Sequence, residues 1–147
     1  MTQNLVIEDL KFYENTSRFH SMTPEARYDL ITKDLDEVLG EKQLKELLKT
    51  KNPILYWGTA TTGSPHIGYL AALLKLAHYL KAGCQVKILF ADLHAFLDAM
   101  KSTWEQLKFR TQYYEFIIKN TLKALGVSVD NLEFIRGTEF QLSREYT

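Results

Sequence analysis

The stretch Tyr56 to Leu70, YWGTATTGSPHIGYL, sets three glycines, three threonines and a serine between a short apolar run and a long helical pattern. The run ILYWG that leads into it, residues 54–58, is β-rich and ends on glycine, as a buried strand does. Ser64 is a good N-cap and Pro65 suits a first helical position, so the spacing predicts a helix over about 65–82 with His66 in its first turn. The free N–H groups and the dipole of such a turn favour an anion. An imidazole there, with the hydroxyls of Thr61 and Thr62 nearby, adds hydrogen bonds suited to phosphate oxygens. Gly58, Gly63 and Gly68 let backbone or ligand approach closely, and Gly68 would offer a flat patch to a planar base. The spacing is neither G-x-x-x-x-G-K-[ST] nor G-x-G-x-x-G, so it is no Walker loop and argues against a dinucleotide site. From these residues alone two readings stand: a phosphate cradle, or a tight strand-to-helix connection with a surface histidine.

Outward from this loop the texture repeats. Gly83 breaks the first helix, QVKILFA (85–91) reads as a second strand, and LEFIRG (132–137) as a third. Between them Ser102 and Glu105 fit a capping box for a long helix, with a core stripe from Trp104 through Leu107, Tyr114, Ile118 and Leu122 to Leu125, and Gly126 as its stop. Strand, helix, strand, helix, strand predicts a parallel sheet with right-handed crossovers, half of a doubly wound nucleotide-binding fold. Ligands of such sheets sit beyond the carboxyl ends of the strands. Three polar segments occupy those ends here: GTATTGSPHIG, ADLHAFLD and GTEFQL. Upstream, Thr23, Pro24 and Glu25 open a helix whose stripe is Ile31, Leu35, Val38 and Leu39, with Gly40 as its stop; EKQLKELLKTKN gives a second through Leu44, Leu47 and Leu48. Residues 1–22 have no clean period and read as an arm. The chain divides into an N-terminal extension with helices, 1–52, and a sheet-forming part, 53–147.

Composition limits the function classes. Eighteen basic and eighteen acidic side chains in 147 residues exclude a strongly cationic nucleic-acid binder. The lysines Lys42, Lys45, Lys49 and Lys51 read as a solvated helix face before they read as an RNA contact. Cys84 is the single cysteine, so no internal disulfide forms, and it reads as packing. With no signal-like N-terminus and no membrane-length apolar run, the chain is expected to be soluble and cytoplasmic.

The PHIGY segment, 65–69, resembles the HIGH signature of class I aminoacyl-tRNA synthetases. With LKAGCQVKILFADLHAFLD and GTEFQLSREYT, the surrounding stretch is similar to the tyrosyl-tRNA synthetases of the eukaryotic and archaeal branch, from about Tyr28 to Thr147. The resemblance implies a Rossmann-like α/β catalytic domain, of which this is the first half behind a helical arm. It also implies activation of L-tyrosine with ATP to tyrosyl-adenylate and transfer to tRNA(Tyr), with Mg2+ assisting and no tightly bound cofactor or resident metal. His66 matches the first histidine of HIGH and Thr61 lies in the loop approaching the phosphates. The ATP side would comprise Gly58, Thr59, Ala60, Thr61, Thr62, Gly63, Ser64, Pro65, His66, Ile67, Gly68 and Tyr69. Tyr69 stands where the signature has its second histidine. The amino-acid side would comprise Tyr56, Gly58, Leu89, Asp92, His94, Phe140 and Gln141. Read without the family, Asp92 and His94 could merely cap the segment after their strand, and Leu89 could be core.

The resemblance also implies parts that these residues do not hold: a KMSKS-like lysine loop, the rest of the tyrosine pocket and an anticodon-binding domain. Family homodimers rely largely on later segments, so the interface is expected to be incomplete here. Two hypotheses follow: the HIGH-motif half of a tyrosine–tRNA ligase, or a truncated, catalytically inactive relative acting as a binding or regulatory module.

Overall fold

The computed structural model describes residues 22–99, 102–141 and 143–144. Two helices, α1 (Pro24–Thr32) and α2 (Glu41–Thr50), precede strand β1 (Ile54–Thr59). Helix α3 (Tyr69–Lys81) leads to β2 (Gln85–Phe90), then come α4 (Asp92–Ala99), α5 (Trp104–Ala124), β3 (Leu132–Arg136) and the single turn α6 (Gly137–Phe140). The strands pair in parallel in the order β1-β2-β3, so the α/β reading of the sequence holds. The arm of residues 1–21 lies outside the described residues.

The alternation of β2 explains the layering. Val86, Ile88 and Phe90 point to one face and are fully buried there. They pack with Leu73, Leu76, Ala77 and Leu80 of α3 and with Tyr114, Ile118 and Leu122 of α5. Burying each of the valine, leucine, isoleucine and phenylalanine side chains here contributes about 1.5–3 kcal/mol. Both crossover helices therefore cover the same face, as two crossovers of one hand must when a sheet grows in one direction. On the opposite face the register aligns Tyr56 with Lys87 and Glu133, and Gly58 with Leu89 and Ile135. A Lys87–Glu133 ion pair of 3.0 Å crosses this face. Ile54 (64% exposed) and Tyr56 (69%) show how open it is at β1.

A second cluster joins α1 and α2 to the sheet: Leu30, Ile31, Leu48, Ala82 and Cys84 are buried together, with Leu55 against them. Arg27 fastens it. Its Nε donates to the Ala82 carbonyl (2.7 Å), Nη1 to the Leu48 carbonyl (3.4 Å) and Nη2 to Asn52 Oδ1 (2.9 Å).

Several helix boundaries differ from the sequence reading. Helix α1 stops at Thr32, so Leu35 and Leu39 are exposed and form no stripe with Ile31. The Thr32 hydroxyl bonds back to the Tyr28 carbonyl (2.9 Å) and Asp34 turns to φ +58°, a left-handed conformation that aspartate tolerates. Gly40, expected as a stop, is instead the N-cap of α2 at φ +79°. Helix α5 is capped by Thr103 and Gln106 and not by Ser102 and Glu105. Both pairs fit the capping pattern, but the Ser102 hydroxyl is engaged by Arg110 Nη2 (3.2 Å). The stripe of α5 is buried from Leu107 to Leu125, whereas Trp104 is 47% exposed and stacks on Phe96 with ring centroids 3.9 Å apart.

Cys84 is fully buried, and that burial pushes its thiol up to about 11. The folded chain should resist a thiol-directed alkylating reagent at pH 8 and become labelled only as denaturant unfolds it. Because the folded pKa lies above the unfolded one, the thiol's contribution to stability is complete below the ordinary range near 8.5 and is lost as pH climbs toward 11. Rapid labelling of the folded chain would contradict this packing.

Candidate active site

The carboxyl ends of β1, β2 and β3 carry the three polar segments singled out in the sequence. The first is organised around Tyr69, the opening residue of α3. Its hydroxyl lies 2.9 Å from Thr59 Oγ1 at the end of β1. Its ring meets those of His66 (5.5 Å between centroids), Tyr114 (5.6 Å) and Trp57 (6.3 Å), all edge-on. Burial raises the Tyr114 phenol to about 12, and its hydrogen bond with Tyr69 acts in the same direction.

The helix begins four residues later than the expected Pro65. Residues 66–69 form a tight turn, with Tyr69 N–H donating to the His66 carbonyl (2.9 Å) and Leu70 N–H to that of Ile67 (3.0 Å). Gly68, and not Ser64, is the N-cap, and His66 sits just before the helix. The exposed His66 imidazole folds back so that Nδ1 accepts the Gly68 N–H at 3.1 Å. In the neutral ring this fixes the proton on Nε2, leaving that nitrogen as the ring's donor. A Cβ on Gly68 would stand 2.8 Å from His66 Cε1, so the space above Gly68 is taken by the imidazole and is not a bare patch.

Thr61 departs from its expected place. It is fully buried, its hydroxyl 3.3 Å from that of Thr111, which itself donates to the Leu107 carbonyl at 3.0 Å. Arg110 Nη1 donates to the carbonyls of Thr61 and Thr62, both at 3.2 Å. The loop is thereby tied to α5 through both a side chain and its backbone, while Thr62, Gly63, Ser64 and Ile67 remain exposed and Ala60 and Pro65 half-buried.

On the open face, the Tyr56 phenol lies over Gly58. A Cβ there would be 2.7 Å from Tyr56 Oη, so a larger residue would push the phenol aside. Leu89, paired with Gly58 in register, adjoins them and is 9% exposed. Asp92, at the end of β2, is 6% exposed with its carboxylate occupied. Oδ1 accepts the N–H groups of Leu93 and Thr138 (each 2.9 Å), and Oδ2 accepts the Thr138 hydroxyl at 2.6 Å. Asp92 is thus a staple between the ends of β2 and β3. Gly137 sits in the fork: a Cβ there would meet Asp92 Oδ1 at 2.8 Å and also the Gln141 amide. Gln141 is thereby brought beside Asp92, Phe140 ends α6, and His94 stands exposed on α4.

The structure thus brings together His66 with Gly68, Tyr56 with Gly58 and Leu89, and Asp92 with Gln141, and turns Thr61 away into the core. Sequence reading missed Arg110, Thr111, Gly137 and Thr138. Gly137 at a strand end and Thr138 after it carried a signal; Arg110 and Thr111 are ordinary residues within a helix pattern. Among the described residues no cluster of three or more His, Cys, Asp or Glu could hold a metal ion.

A parallel sheet whose crossover helices cover one face is a Rossmann-like α/β arrangement. Residues 48–147 match the family described as tRNA synthetases class I (W and Y), and the chain belongs to that family. It is 56% identical over 126 residues to the cytoplasmic tyrosine–tRNA ligase of Danio rerio, covering 86% of this chain and 24% of that one. The corresponding ligase of Xenopus tropicalis is 57% identical over 126 residues, with the same coverage. In three dimensions the chain is similar to the tyrosyl-tRNA synthetase of Archaeoglobus fulgidus complexed with L-tyrosine: TM-score 0.72, 31% identity, 84% of this chain and 38% of that one. The chain therefore spans about a quarter of the length of these vertebrate relatives.

Replacing Asp92 by Asn keeps the size of the side chain but removes a charge-assisted acceptor from three donors. It should lower unfolding stability by about 1–3 kcal/mol, read from the denaturant midpoint. In a double-mutant cycle with Thr138→Ala the two losses should be far from additive. Simple additivity would contradict the staple.

Proposed function

We propose that this chain is the HIGH-motif half of a tyrosine–tRNA ligase, which activates L-tyrosine with ATP to tyrosyl-adenylate and passes the tyrosyl group to tRNA(Tyr). The observation that carries this reading is the convergence of His66, the Tyr56–Gly58 pair and the Asp92–Gln141 pair at one end of a parallel sheet. The family and the names of the relatives support the same substrates, and those relatives are named cytoplasmic. Residues 53–147 are read as the N-terminal half of the catalytic domain and 1–52 as its extension.

The residues divide the work. The tyrosine carboxylate attacks the α-phosphorus of ATP, and pyrophosphate leaves. No covalent enzyme intermediate is needed, so the protein contributes positioning and stabilisation of phosphate charge. His66 Nε2–H, on the ring that Gly68 orients, would donate to a phosphate oxygen as charge shifts. The loop from Gly58 to Tyr69 lines the ATP side, with Thr61 acting from within as an anchor. Tyr56 lies on the open side of the sheet, and its hydroxyl would meet the phenol of tyrosine, with Leu89, His94, Phe140 and Gln141 as the other residues read for the amino-acid side. Asp92 positions Thr138 and the turn that holds Gln141. Its oxygens are already occupied, and Mg2+ is read as arriving with ATP on the phosphates. The family homodimer and the second phosphate clamp are read as depending on segments beyond this chain's match.

The test uses tyrosine-dependent ATP–pyrophosphate exchange. The 147-residue chain alone should show no aminoacylation, whereas the chain continued by the matching remainder of a relative should support exchange. In that continued protein His66→Ala should slow exchange about a hundredfold, some 3 kcal/mol, with tyrosine affinity nearly unchanged. Equal losses in tyrosine affinity and rate would remove His66 from this role. A continued protein that binds tyrosine and ATP without exchange would favour the binding-module reading.

A further inference from the structure

Helix α5 holds the loop between β1 and α3 residue by residue. Arg110 Nη1 donates to the carbonyls of Thr61 and Thr62, both at 3.2 Å, while Nη2 donates to the Ser102 hydroxyl. Tyr114, one turn further on, takes a hydrogen bond from the Gly63 backbone. Two successive carbonyls that converge on one nitrogen fix two successive peptide planes. A planar trans peptide directs its N–H opposite to its C=O. The N–H groups of Thr62 and Gly63 therefore point away from the guanidinium. Gly63 shows where that is, because its N–H is turned to Tyr114, whose ring meets that of Tyr69, which in turn meets His66. The Thr62 N–H is directed to the same side, and among the described residues it has no partner.

We propose that Arg110 is a positioning residue for phosphate binding: by gathering the Thr61 and Thr62 carbonyls on one nitrogen, it presents the Thr62 N–H on the His66 side of the loop as a second phosphate donor. Charge supports the geometry. The guanidinium meets only neutral oxygens, two carbonyls and a hydroxyl, and among the described residues no carboxylate pairs with it. A cation on a carbonyl oxygen polarises the peptide and strengthens its N–H as a donor. An anionic acceptor gains most from such a donor, and the uncompensated charge behind it favours the same sign of ligand. Arg110 touches no ligand in this arrangement and acts through the peptide that it turns. The inference rests on the adenylation reading for which phosphates these are, whereas the presentation of the N–H belongs to the folded chain itself.

Amide NMR of the isotope-labelled 147-residue chain, titrated with inorganic triphosphate, reads the donor directly. The Thr62 amide proton should move downfield as it takes an anionic acceptor, and Arg110→Met should abolish that movement. Arg110→Lys should keep part of it, because both carbonyls sit on one nitrogen that a single ammonium can replace. In the chain continued by a relative's matching remainder, Arg110→Met should raise the KM for ATP and lower kcat/KM for exchange by about ten- to a hundredfold. Tyrosine affinity should stay unchanged, with partial recovery in Arg110→Lys. An Arg110 that only stabilises the fold would lower the thermal midpoint while leaving the amide response and the KM for ATP as they were, and that result overturns the proposal. A Thr62 amide that ignores triphosphate in the unsubstituted chain overturns it as well. Should Arg110→Met not fold, the unsubstituted chain and Arg110→Lys decide the matter. A continued protein that does not exchange, beside a Thr62 response that depends on Arg110, counts against the adenylation reading and supports this one.

Discussion

The hydrogen bond between Tyr69 and Thr59 closes the loop on which the candidate site depends. It joins the first residue of α3 to the last of β1 across a nine-residue connection. With its ends held, the loop directs His66 outward and sends Thr61 inward to Thr111. The rings of Trp57, His66 and Tyr114 surround the same tyrosine, so the site's outermost residue is linked to the core through one side chain. A loop of small residues would otherwise lose more entropy on ordering than its few contacts return. Anchoring by Tyr69, Thr111 and Arg110 lets it be both glycine-rich and fixed.

The second and third strand ends are fixed by a different device. Asp92 spends its carboxylate on Leu93 and Thr138, which turns a potential ligand into a brace. Preorganised donors are worth most where they need not reorganise as charge develops. The carboxyl end of each strand is thus held by its own polar contacts, while His66 Nε2 and the Tyr56 hydroxyl are left for other partners.

Much of this was legible in the sequence because it follows from periodicity. The strand alternation of QVKILF, the stripe from Leu107 to Leu125 and the stops at Gly83 and Gly126 are local patterns, and both glycines take positive φ. The boundaries misread were those where two local choices compete: Ser102 against Thr103, Ser64 against Gly68, Gly40 as stop against Gly40 as cap. Tertiary contacts decided each one that has a visible cause, as Arg110 does for Ser102. The site residues that went unread, Arg110 and Thr111, lie some fifty positions from the loop they hold, and no local pattern announces a partner that distant. Thr61 was misplaced for the same reason. A threonine in a glycine-rich loop suggests a ligand contact until the helix behind it is known.

In the proposed function His66 and Tyr56 face one ligand from two sides of the β1 carboxyl end. A crystal structure of the chain continued by a relative's matching remainder, bound to a non-hydrolysable tyrosyl-adenylate analogue, tests it most directly. A phosphate-position oxygen is expected within hydrogen-bond distance of His66 Nε2 while Nδ1 keeps the Gly68 N–H, with the phenol beside the Tyr56 hydroxyl. An analogue seated at the opposite end of the sheet, in the cavity of about 330 Å³ beside Arg27, Asn52 and Gly83, would contradict it.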